Sequence, residues 1–136
     1  MAANINPIFP LTPNVAWSTV ITTANNVYDG TGTVLTAYTA GANGSFVERI
    51  RFRALGTNVA TVARVFINNG STNTTAANNV LWDEISLPAT TSSATTALPT
   101  FELPLGFMLP NGYKLNIVLG TTVSAGYNCT VIGGDY

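Results

Sequence analysis

Prolines, glycines and asparagines cut this chain into runs of strand length, and that punctuation constrains the fold more than any other feature. From residue 14 onward the runs are rich in Val, Ile, Thr, Phe and Tyr, the composition and alternation of β-strands. Val15–Thr22 reads as a first strand, followed by a turn at Asp29-Gly-Thr-Gly32. Thr33–Thr39 reads as a second, closed by Gly41-Ala-Asn-Gly44. Phe46–Phe52 alternates cleanly, and Thr61–Ile67 is a fourth strand ended by Asn68-Asn-Gly70. Val80–Leu87 is the fifth, although Leu81, Trp82 and Ile85 would also share one helix face. Thr100–Leu103 is a short sixth between Pro99 and Pro104. Pro110-Asn-Gly112 is a turn leading into Tyr113–Leu119, and Gly126–Ile132 is the eighth.

Eight short strands in 136 residues, with two long Thr/Ser/Asn loops at 68–79 and 88–99, predict an all-β fold. The expected architecture is a single antiparallel β-sandwich domain over residues 14–136. The Cys…Trp…Cys core of an immunoglobulin domain is absent, and eight strands favour a jelly roll. Residues 1–13 are expected to form an extended N-terminal arm. Pro7, Pro10 and Pro13 forbid a regular helix there, while Ile5, Ile8, Phe9 and Leu11 make the segment apolar and uncharged. Such an arm docks either on a neighbouring subunit or along its own domain.

Charge is scarce: 8% of residues, against about 25% in ordinary soluble domains. The polar surface must come from neutral groups, and the chain has 21 Thr and 15 Asn. Charge-depleted surface is typical of interface cores, so composition leans towards an assembled protein. Ala60–Ile67 points the same way, being apolar on both faces except at Arg64. A second cover is expected over it: a loop, the arm or another subunit. A net charge of −1 gives no general field for nucleic acid, and there is no apolar run of about 18 residues to cross a membrane. The opening residues lack the basic and apolar regions of a signal peptide, so synthesis in a cytoplasm is expected.

Catalysis fits poorly. There is no His to activate a Ser or Cys nucleophile, and no phosphate-binding or nucleophile-elbow motif. Asp83 and Glu84 are adjacent, and neighbours on a strand point to opposite faces. No cofactor or metal is expected, because the single Cys129 and the absent His exclude a Cys–His zinc site. Cys129 alternates with Tyr127 and Val131 and reads as a core residue.

The sharpest local feature is the row Arg49, Arg51 and Arg53. At about 6.6–6.8 Å spacing along one strand face, three guanidinium groups demand carboxylates opposite. Either Glu84 or Glu102 on an adjacent strand supplies them, or a subunit partner does. In the alternation as written, Val47 shares the arginine face, and Phe46, Glu48, Ile50 and Phe52 lie on the other. A carbohydrate site would instead use aromatics near turns: Tyr28 beside Asp29, Tyr113 after Asn111-Gly112, and the terminal Tyr136.

The segments Asn6-Pro-Ile-Phe9, Asp29-Gly-Thr-Gly-Thr33, Thr39-Ala-Gly-Ala-Asn-Gly44, Gly56-Thr-Asn, Leu109-Pro-Asn-Gly-Tyr-Lys-Leu115 and Gly133-Gly-Asp-Tyr136 resemble small proteins encoded among tailed-bacteriophage head genes. The resemblance implies a capsid decoration, or cement, protein: a jelly-roll homotrimer on the outer surface of the virion, bound to the major capsid protein and made in the bacterial host. The expected interface residues are Ile5, Pro7, Ile8, Phe9 and Pro10 of the arm, with Arg49, Arg51, Arg53 and Arg64. The alternative is a glycan-binding jelly-roll module using Tyr28, Asp29, Tyr113 and Tyr136.

Overall fold

A computed structural model describes residues 9–136. The described residues form eight strands: β1 (Thr12–Trp17), β2 (Leu35–Thr39), β3 (Ser45–Ala54), β4 (Thr61–Asn68), β5 (Asn79–Leu87), β6 (Thr100–Leu109), β7 (Lys114–Leu119) and β8 (Tyr127–Asp135). A single 3-10 turn at Ala76–Asn78 precedes β5. The ambiguity at residues 80–87 resolves as strand.

The pairing follows one long hairpin doubled on itself. β1 pairs with β8, β2 with β7, β3 with β6, and β4 with β5, all antiparallel. Lateral pairings of β3 with β8 and β4 with β7 wrap that hairpin into two sheets. Sheet I has the order β1-β8-β3-β6, and sheet II the order β2-β7-β4-β5. This doubled hairpin is the jelly roll that the strand count favours. Between the sheets lies a core of Val47, Ile50, Phe52, Val65, Leu115, Ile117, Leu119, Tyr127, Cys129 and Val131, all fully buried.

Several boundaries differ from the sequence expectation. β1 begins at Thr12, opposite Asp135, and the Leu11 N–H donates to the Asp135 carbonyl at 2.8 Å. Thr12 and Pro13 therefore belong to the sandwich and not to the arm. Pro13 is tolerated because β1 is an edge strand. β1 also ends at Trp17, before Thr22, although Ile21 still exchanges backbone hydrogen bonds with Tyr127 of β8; only beyond it does the connection cross to sheet II, where Ala24 meets Leu119. At β6, Pro104 does not end the strand. β6 is the other edge of sheet I, where a missing N–H costs little, and it continues to Leu109.

The alternation in β3 is broken by a bulge. Between Val47 and Arg49 the register shifts against both β8 and β6. An extra residue reverses the facing of everything before it. Val47 is therefore in the core and not beside the arginines, whereas Phe46 and Glu48 are on the outer face with them. Two glycines make room for the irregularity. Gly106 takes a positive φ of 67° in β6, and a Cβ on Gly133 would collide with the Phe46 carbonyl of β3.

β4 is apolar on both faces for an intramolecular reason. Ala63 and Val65 face the core, while Phe66 and Arg64 are buried on the outer side of sheet II. The β1–β2 connection supplies the second cover: it is fixed to the end of β7, where the Asn25 N–H donates to the Leu119 carbonyl at 2.9 Å, and it lays the Tyr28 ring 4.0 Å from the Arg64 guanidinium on the outer face. The β4–β5 loop and the first residue of β5 then tie this cover down, with Asn73 donating to the carbonyl of Gly32 at 2.8 Å and Asn79 to that of Asp29 at 3.2 Å. The doubly apolar strand is thus satisfied within one chain.

Candidate functional site

Sheet II is roofed by its own loop, and among the described residues nothing covers the outer face of sheet I in the same way. Its register aligns outward residues in rows across four strands. Trp17 lies in line with Thr130, Arg51 and Glu102. Val15 lies in line with Ile132, Arg49 and Pro104. Pro13 lies in line with Gly134, Phe46 and Met108. Trp17 is 71% exposed, Met108 68% and Val15 54%. Ala16, on the opposite side of β1, packs against the core, so alternation alone turns these large apolar side chains to the outside.

The arginine row crosses the middle of this face. Glu102, not Glu84, is its carboxylate, and it serves two arginines loosely: Arg49 Nε and Arg51 Nε each lie 3.9 Å from a Glu102 oxygen. Arg49 also approaches Glu48 at 3.5 Å. The Arg49 Nε is shielded from solvent and has no hydrogen-bond partner among the described residues. Arg53 is better held, donating to the Leu98 carbonyl at 2.7 Å and to Thr100 Oγ1 at 3.0 Å. The row is thus only partly compensated by its own chain, and half-exposed ion pairs of this length contribute little to stability.

At the end of the face where β1 begins, the surface dips into two adjoining apolar depressions. One, of about 500 Å³, is lined by Phe9, Pro10, Phe46, Gly106, Phe107, Met108 and Tyr136. The other, of about 860 Å³, shares Met108 and Tyr136 and extends to Asn43, Gly44, Leu109 and Pro110. Of the arm residues proposed as interface, Phe9 and Pro10 border this groove; Ile5, Pro7 and Ile8 lie outside the described residues.

Arg64 belongs elsewhere. It is only 7% exposed, so its expectation as an interface residue does not hold for the folded chain. Its Nε donates to Glu84 Oε1 at 2.7 Å across the β4–β5 ladder, and another nitrogen donates to the Tyr28 hydroxyl at 2.7 Å. The guanidinium also stacks 4.0 Å from the centre of the Tyr28 ring. Arg64 therefore pins the β1–β2 connection to sheet II. The same contacts commit Tyr28, while Asp29 accepts from the Thr31 N–H and hydroxyl at 3.0 and 2.7 Å. Those bonds hold the Asp29 carboxyl below its ordinary pKa. Tyr113 packs against the core and Tyr136 borders the groove. Of the four residues suggested for a glycan site, Tyr28 and Asp29 sit together on the β1–β2 connection, whereas Tyr113 and Tyr136 flank the 40–44 turn through backbone bonds to Ala40 and Gly44.

The end of β8 is locked by a polar cluster. Asp135 accepts from the Tyr38 hydroxyl at 2.9 Å, from Asn14 Nδ2 at 2.9 Å and from the Ser45 hydroxyl, and Ser45 in turn accepts from the Gly41 N–H at 3.0 Å. Burial pushes the Asp135 carboxyl up, but these donors outweigh it and hold the pKa below the usual value. The cluster joins β1, β2, β3 and β8 directly behind the groove. Cys129 is in the core, where burial pushes its thiol up to about 12 and leaves it unreactive.

Trp17, Val15 and Met108 are the surface residues that sequence reading passed over. Their signal was present, since Leu11, Pro13, Val15 and Trp17 alternate. The unknown was which side of the strand met the core. Comparison with protein-family models, with curated proteins and with solved structures found no match.

Proposed function

We propose that this chain is a virion structural protein, a homotrimeric decoration protein that binds the major capsid protein on the outside of a bacteriophage head. The observation that carries the reading is the open face of sheet I, where Val15, Trp17 and Met108 lie exposed beside an undercompensated arginine row. Large apolar side chains left exposed at both edges of one sheet face, with charged groups between them, mark a protein contact. The groove bordered by Phe9, Pro10, Phe46 and Met108 would receive an apolar segment of the capsid protein at the end from which the arm emerges. Each contact would be modest at about 25 cal/mol per Å² of apolar area, and repetition over a shell multiplies it.

The test is co-sedimentation of the purified full-length protein with heads of its phage stripped of accessory proteins, followed by thermal disruption of the heads. Saturable binding and a higher disruption temperature are expected, with both reduced by Met108→Asp in the groove. Heads that neither bind the protein nor gain stability would overturn the proposal.

A further inference from the structure

We infer that the outer face of sheet I receives the β5 side of a second copy of this chain, in a head-to-tail contact that closes into a ring. The inference rests on the assembly reading above and names the surfaces through which copies meet.

The β5 side is a built feature. A register shift between Val65 and Phe66 gives β5 an extra residue, Trp82, which turns off the ladder onto the Phe107 ring with centroids 4.6 Å apart. Trp82 is held there yet stays 48% exposed, and Val80 is 56% exposed. Val80 and Asp83 pair with Ile67 and Val65, which face inward; at the margin of an edge strand that direction opens onto the side of the sandwich. Asp83 is exposed, its Oδ1 accepts only the Glu84 N–H at 2.8 Å, and it forms no ion pair among the described residues.

The two surfaces complement each other in kind. Each presents a Trp and a Val, and beside them one carries the free carboxylate of Asp83 while the other carries Arg49 and Arg51, which share Glu102. Among the described residues the β5 side offers Asp83 no free cation of its own, whereas on sheet I the three arginines outnumber the two carboxylates beside them, Glu48 and Glu102, so the favourable contact joins unlike surfaces. A face and a side of one two-layer sandwich look in roughly perpendicular directions. Repeated docking therefore turns at every step and can close a small ring, whereas two opposite faces would run on as a filament.

Charge reversal tests the contact by light scattering behind size exclusion over a range of concentrations. Arg51→Glu and Asp83→Arg should each weaken self-association by roughly tenfold or more, and Arg51→Glu combined with Asp83→Arg in one chain should restore it. Arg51→Gln and Asp83→Asn should act in the same direction and more weakly, with circular dichroism unchanged. A wild-type ring whose mass is indifferent to all of these substitutions overturns this interface and leaves the decoration reading standing. A wild-type chain that is monomeric at every concentration overturns the ring itself. Failure of a wild-type ring to bind heads would instead count against the decoration reading alone.

Discussion

Asp135 shows how much a single carboxylate can organise in a chain with so few charges. Its acceptors hold Tyr38, Asn14 and Ser45, residues contributed by three other strands. Asp135→Asn keeps the shape but turns one acceptor into a donor facing other donors, and should cost about 1–3 kcal/mol in urea unfolding. Because the folded pKa lies below the ordinary 3.8, the wild-type advantage is fully present above that value. It falls away as pH drops through the folded pKa. The difference between wild type and variant should therefore be constant from pH 5 to 8 and shrink in stronger acid; a difference that grows with acid would contradict this account.

Arg64 poses the opposite case, a buried cation with partners on both sides. Arg64→Met, which removes the charge and keeps the bulk, should be tolerated better than Glu84→Gln, which leaves the guanidinium underpaired. Denaturant midpoints of the two variants check the order.

At the scale of the element, bulges and edges decide which side chains reach the outside. Gly106 has open space around its missing Cβ but a positive φ, so Gly106→Ala should cost about 1–2 kcal/mol through the backbone alone. Gly133 has no positive φ but faces the β3 backbone at close range, and Gly133→Ala should cost more because the β3–β8 ladder must part. Thermal unfolding of the pair separates conformational strain from steric exclusion. An equal effect would mean that the ladder absorbs a methyl group without moving.

Most strands were legible because period-two alternation and turn residues are local signals. The ends of β1 and β6 were not. Pro13 and Pro104 read as breaks in any linear pattern, and their tolerance depends on edge position, which is a property of the assembled sheet. The same holds for Val47. Nothing in the run Phe46–Phe52 announces the bulge that carries Val47 into the core, since the bulge is defined by how two partner strands pair with it. The arginine row survived because all three arginines follow the bulge, in a stretch where alternation is unbroken.

At the scale of the molecule, the jelly roll covers one sheet with its own loop and leaves the other open. If copies associate through the open face, folding and association are coupled by mass action. The melting temperature of the wild-type protein should rise with protein concentration, and that of Arg51→Glu should not. A concentration-independent melting temperature for both would speak against self-association under those conditions.

The sequence by itself determined the all-β class, the eight strands of the sandwich and the scarcity of charge, because each depends on composition or on neighbours within a few residues. The tertiary structure alone decided which surfaces are free. Arg64 and the apolar outer side of β4 had the makings of an interface until the β1–β2 connection folded over them, and Trp17 had the makings of a core residue until β1 took its register on β8. Exposure is a property of what the rest of the chain covers, and that depends on contacts between residues far apart in sequence.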